Sequence, residues 1–157
     1  MPEESAATQI ADWRVLLVAG QFNEVVTRRL MAGAVVTLEA AGIAEDRMEI
    51  IWVPGAFEIP VVIHKGLSTG QYNLAVALGA VIRGETPHNE YIAAEATRGI
   101  GEAALRFQIP VGFGVLTCDT MEQALARSGG AAGNKGIDAA SAALETAQAL
   151  LSFGGSA

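Results

Sequence analysis

The stretch Leu74 to Tyr91, LAVALGAVIRGETPHNEY, joins two unlike halves. LAVALGAVI is apolar without alternation, the pattern of a strand covered on both faces, and it is far short of the ~20 residues that span a bilayer. RGETPHNEY then supplies turn and helix-start chemistry. Thr86 suits a helix N-cap and Pro87 the first helical position, so the free N–H groups of residues 84–86 and of the helix start form a candidate anion cradle, with phosphate its natural occupant. His88 falls in the first turn, where the helix dipole disfavours imidazolium and a proton shuttle is possible. A surface histidine without a role fits the same position, and the spacing does not separate the two.

Working outward, strand and helix alternate. RVLLVAG (Arg14 to Gly20) is a short apolar strand, after which Asn23 is expected to cap a helix with Val26, Leu30, Ala34 and Leu38 on one face, stopped by Gly42. MEIIWV (Met48 to Val53) is a second strand. Pro54-Gly55 turns the chain into an amphipathic segment containing Phe57, Val61 and His64 and ending near Gly70. The third strand, about Asn73 to Ile82, should be central. A helix from Pro87 to about Phe107, a strand from Pro110 to Thr117 and two closing helices follow. Asp119-Thr-Met-Glu122 has the spacing of a capping box. The last helix shows Ile137, Ala140, Leu144, Ala147 and Leu151 as one stripe. Such alternation implies parallel strands with right-handed crossovers, a three-layer α/β sandwich on a four-stranded parallel sheet. Residues 1–12 read as a mobile arm or as a segment ordered only by a neighbour, and 13–157 as a single domain.

Composition narrows the function. With 157 residues and 51% hydrophobic content, the chain builds one substantial core. A net charge of -7 with scattered Lys and Arg excludes a nucleic-acid surface. Cys118 is the only cysteine and has no disulfide partner in the chain, and no secretory apolar region or long apolar span is present, which points to the cytoplasm rather than a membrane. A mean hydropathy of +0.35 in a domain of this size suggests apolar surface hidden between subunits, hence an oligomer.

In an open parallel sheet, ligands bind beyond the carboxyl ends of the strands. The residues found there are Gln21-Phe22-Asn23, then Gly55 with Ala56, Phe57 and Glu58, then the Arg83 to His88 run. Taken alone, Phe22 reads more readily as a buried packing staple, and Pro54-Gly55 reads as a plain turn. Other motifs fail on context. Gly99-Ile-Gly101 lies inside a helix, Gly112-Phe-Gly114 inside a strand, and residues 133–136 lack P-loop spacing. Two distant histidines and one cysteine offer no metal site and no nucleophile pair.

Taken together, QFNE (21–24), VPGAFEIP (53–60), GAVIRGETPHNEY (79–91), PVGFGVLTCDTMEQA (110–124) and AGNKG (132–136) resemble the 6,7-dimethyl-8-ribityllumazine synthase family, from Arg14 to Ser152. The resemblance implies a flavodoxin-like fold and condensation of 5-amino-6-(D-ribitylamino)uracil with 3,4-dihydroxy-2-butanone 4-phosphate, the penultimate step of riboflavin biosynthesis, with no cofactor or metal. It implies that Phe22 stacks on the pyrimidine, that Ala56, Phe57 and Glu58 hold this substrate, and that Ala80, Val81 and Ile82 line its ring. Glu85 and Thr86 would take the butanone phosphate through their backbone, with His88 as proton donor and acceptor. Phe113 and Arg127 would close the site, Arg127 on the phosphate, with Lys135 in support. Phe113 lies near the amino end of its strand and Arg127 at the far end of a later helix, so a neighbouring subunit should supply both. The family picture is a pentamer, with the arm pairing to a neighbour's sheet. The absence of an insertion between Arg127 and Lys135 favours an icosahedral shell of pentamers, with riboflavin synthase as a candidate partner. Gln21, Cys118 and Asp138 depart from residues common in the family, none of them at a core catalytic position. A flavodoxin-like binding module and a pure shell former are the competing classes. Against them stand the missing Ser/Thr-rich phosphate loop and the intact set of catalytic loops.

Overall fold

The structure, a computed structural model, describes residues 10–154. Strands β1 (Val15–Gly20), β2 (Met48–Val53), β3 (Leu74–Ile82) and β4 (Val111–Cys118) form one all-parallel sheet in the order β2-β1-β3-β4. The third strand is interior, as its unbroken apolar run requires. Within β1 and β3 the side chains alternate between two cores. Val15, Leu17, Ala19, Leu74, Val76, Leu78 and Ala80 face one, while Leu16, Val18, Ala75, Ala77 and Val81 face the other.

Helices cover both faces. Helix α1 (Glu24–Ala40) packs on the first with Val26, Leu30, Ala34 and Leu38, all fully buried as their spacing predicts. Helix α2 (Ile59–Ser68) and helix α3 (His88–Phe107) cover the second. Helix α4 (Met121–Ala126) and helix α5 (Lys135–Leu151) return to the α1 side. Between α4 and α5 stands a short antiparallel hairpin, β5 (Ser128–Gly130) with β6 (Gly133–Asn134), which sequence reading did not foresee. Gly129 and Gly133 take the positive φ values its turn needs.

Several local expectations are corrected. The buried face of α2 is Ile59, Ile63 and Leu67, whereas Phe57 and Val61 are exposed. His64 sits at the boundary, its ring edge-on to Phe107 at 4.8 Å. In α5 the buried stripe is Ala139, Ala140, Ala143, Leu144 and Ala147, and the outer members Ile137 and Leu151 reach solvent. The box at α4 lies one residue later than read: Thr120 Oγ1 accepts from Gln123 N–H, and Gln123 Oε1 accepts from Asp119 N–H. Asn23 precedes α1 but caps nothing with its side chain. Helix α3 starts at His88, so Pro87 and not Thr86 is its cap residue, and Thr86 Oγ1 accepts a long 3.5 Å bond from the His88 N–H.

Of the expected arm, residues 1–9 lie outside the described residues. Residues 10–12 form a helical turn on their own domain, with Ile10 against the α1-side core and Asp12 O accepting from Arg47. Among the described residues no helix is long and apolar enough to cross a membrane.

Candidate active site

Because all four strands run the same way, their carboxyl ends bring the loops after β1, β2 and β3 to one edge. There they enclose a crevice of about 380 Å³. Phe22 and Asn23 enter from the β1 loop, and Gly55, Ala56, Phe57 and Glu58 from the β2 loop. Ala80, Val81 and Ile82 form the wall at the end of β3, and Gly84, Thr86 and His88 close the far side. The sequence-read candidates from three distant segments thus meet in one place.

The rim and the floor differ in kind. Phe22 is 74% exposed and Phe57 53%, while Ala56, Ala80 and Val81 are buried. Two large aromatic faces left open beside a small-residue floor make a slot suited to a flat ring. The loop that carries Phe22 is nevertheless fixed in its backbone. Gln21 N–H donates to Val53 O at 2.8 Å and Phe22 N–H to Pro54 O at 3.0 Å. Asn23 Nδ2 donates to Ala80 O at 2.9 Å.

On the other side of the crevice, Arg83 N–H donates to Cys118 O at 2.9 Å, which carries the β3–β4 pairing past the strand end. Among the described residues the N–H groups of Gly84, Glu85 and Thr86 then find no protein acceptor, and the loop is exposed. Free donors beside the amino end of the twenty-residue α3 are an arrangement that suits an anion. His88 stands exposed in the first helical turn, lining the same crevice.

Four candidates lie elsewhere. Glu85 neighbours the crevice without lining it. Phe113, half-exposed on β4, is in register with Ala77, short of the strand ends. Lys135 begins α5 with Nζ 3.8 Å from Asp138. Arg127 follows α4 and donates to Gln123 O at 3.1 Å. Its charge acts on the Cys118 thiol at the end of β4, and it does not line the crevice. Burial pushes that thiol up, Arg127 pulls it partly back, and Asp119 adds to the rise. A thiol held in its neutral form is a poor nucleophile.

Sequence reading missed Asn89 and Ile92, which also line the crevice. The Asn89 carboxamide oxygen is buried with no hydrogen-bond partner among the described residues. Nothing in the run TPHNEY distinguishes that asparagine from a solvated helix residue. Among the described residues no three His, Cys, Asp or Glu side chains gather to hold a metal ion.

The arrangement is that of a flavodoxin-like α/β protein with an aromatic-rimmed crevice beside free N–H donors at its sheet edge. Residues 12–150 match the 6,7-dimethyl-8-ribityllumazine synthase family, and the chain belongs to it. A 6,7-dimethyl-8-ribityllumazine synthase of Gemmatimonas aurantiaca is 54% identical over 132 residues, 84% of this chain and 80% of that protein. One of Desulfovibrio desulfuricans is 48% identical over 137 residues, 87% of this chain and 88% of its own. The family's reaction, the step of riboflavin biosynthesis that yields 6,7-dimethyl-8-ribityllumazine, is accordingly this chain's transferase activity.

Proposed function

We propose that the crevice condenses 5-amino-6-(D-ribitylamino)uracil with 3,4-dihydroxy-2-butanone 4-phosphate by the following division of labour. Phe22 stacks on the pyrimidine, whose ring lies along Ala80, Val81 and Ile82, and Ala56, Phe57 and Glu58 hold the ribitylamine side. The free N–H groups at Glu85 and Thr86 take the phosphate. The observation that carries this reading is the shared crevice: an exposed aromatic slot, an unpaired set of N–H donors and His88 lie within one small volume.

The chemistry follows in balanced steps. The 5-amino nitrogen attacks the ketone carbon, and water leaves to give an imine. Loss of a proton from the neighbouring hydroxyl-bearing carbon expels the phosphate from the next, and the resulting enol becomes a ketone. The ribityl-bearing nitrogen attacks that ketone, and a second water leaves as the ring closes. Each step moves a proton, and imidazole is the side chain that gives and takes protons near neutral pH. His88 serves as that donor and acceptor. Holding both substrates in register and neutralising the departing phosphate supply the rest. Inorganic phosphate is expected to compete with the butanone phosphate and not with the uracil. Inhibition kinetics showing competition with the uracil instead would contradict the assignment of the cradle.

The site is completed by a neighbour. Phe113, Arg127 and Lys135 do not line the crevice of their own chain, and its rim is open at Phe22 and Phe57. In a pentamer an adjacent subunit brings Phe113 over the ring and Arg127 to the phosphate, with Lys135 behind. The short link from Arg127 to Lys135, closed by the β5–β6 hairpin, favours pentamers assembled into a hollow icosahedral shell. Static light scattering is expected to report a particle many times the pentamer mass, and a lone pentamer sinks the shell. Riboflavin synthase, as consumer of the product, is the candidate partner. The cytoplasm suits a chain whose one cysteine is a free, buried thiol.

A further inference from the structure

We infer that Asn23 is a positioning residue, whose carboxamide sets the gap between the Phe22 ring and the β3 wall and thereby governs how tightly the pyrimidine substrate is held. Asparagine at a helix start ordinarily turns its oxygen to the first free N–H groups of the helix. Here it does not, and no side-chain cap forms on α1. Its Nδ2 reaches instead to the carbonyl of Ala80, 57 residues away.

The reason lies in the sheet. The pairing of β1 with β3 ends at Ala19 and Leu78, while β3 runs on to Ile82. The Ala80 carbonyl, two residues past the last rung, is left by the departing β1, and a buried carbonyl without a donor is costly. Asn23 supplies that donor. Doing so requires the backbone at φ 59 and ψ 46, the left-handed region that asparagine tolerates better than most side chains.

The consequence falls on Phe22. Its ring is 74% exposed, so packing does not hold it. Its position follows from its backbone, which is tied to the end of β2 by the Phe22 N–H to Pro54 O bond and to the end of β3 by the side chain of Asn23. Without the second tie, one side of the aromatic slot is free to move relative to the wall that faces it. The inference rests on the proposed stacking of Phe22.

Two substitutions separate the hydrogen bond from the backbone geometry. Asn23→Gly and Asn23→Asp both accept a left-handed backbone, and neither donates to Ala80 O. Each is expected to raise KM for 5-amino-6-(D-ribitylamino)uracil about tenfold, the worth of roughly one hydrogen bond, with KM for the butanone phosphate and the pH profile of kcat unchanged. Adding Asn23→Asp to Phe22→Ala is expected to raise that KM no further than Phe22→Ala alone, because the two act as one unit. If either single variant proves unfolded by circular dichroism, the other carries the test. Unchanged KM in the single variants, or additive effects in the double variant, overturns the positioning role. A silent Phe22→Ala overturns the stacking reading and this inference with it, whereas silent Asn23 variants beside an impaired Phe22→Ala overturn the inference alone.

Discussion

His88→Ala is expected to lower kcat by roughly 10²- to 10⁴-fold, the usual worth of a positioned general acid–base, while both KM values stay within about twofold. The asymmetry follows from what the side chain does and does not touch. Binding is assigned to the aromatic slot, the alanine floor and the backbone N–H cradle, none of which the substitution removes. Imine formation, elimination and ring closure all lose their proton carrier. The residue is exposed, and among the described residues its side chain makes no hydrogen bond, so folding should be untouched. Steady-state kinetics with each substrate varied in turn decide the matter. A variant with the wild-type kcat would remove His88 from the mechanism.

Gly136→Ala is expected to destabilise the fold by about 3 kcal/mol, the upper range for forcing extra volume into a packed interface. A β-carbon at this position would stand 2.0 Å from the carbonyl oxygen of Leu30 and 2.9 Å from its Cα. Both atoms are backbone of α1, so no rotamer change relieves the clash, and the two helices must part. Asn134 holds them together at the same point. Its Nδ2 donates to Arg29 O at 3.1 Å, and its Oδ1 accepts from the N–H groups of Gly136 and Ile137. For a domain of this length the loss corresponds to a fall in Tm of about 10 °C. Thermal unfolding at matched protein concentration measures it, and an unchanged Tm would show that α1 and α5 do not cross this closely.

The sheet and the general location of the site could be read from residue order, because both depend on local pattern. Unbroken apolar runs at β1 and β3 demand cover on two faces, and parallel topology then puts the following loops at one edge. Strand order is not written in any one strand. Met48 to Val53 reads like its neighbours, yet Glu49 and Ile50 are exposed because β2 is an edge. Around α2 the residues Phe57, Val61 and His64 have much the spacing of Ile59, Ile63 and Leu67, and only the sheet beneath decides which stripe turns inward. Asn23 was misread for a related reason. Its residue type answers a local question about helix starts, but its bond answers a distant one about the Ala80 carbonyl.

The most direct measurement mixes the purified protein with 5-amino-6-(D-ribitylamino)uracil and 3,4-dihydroxy-2-butanone 4-phosphate, and follows the fluorescence of the lumazine together with released phosphate. The crevice as described predicts catalysed formation of 6,7-dimethyl-8-ribityllumazine with one phosphate per product, and no dependence on added metal or cofactor. Binding of both substrates without a rate above that of the protein-free mixture would contradict it.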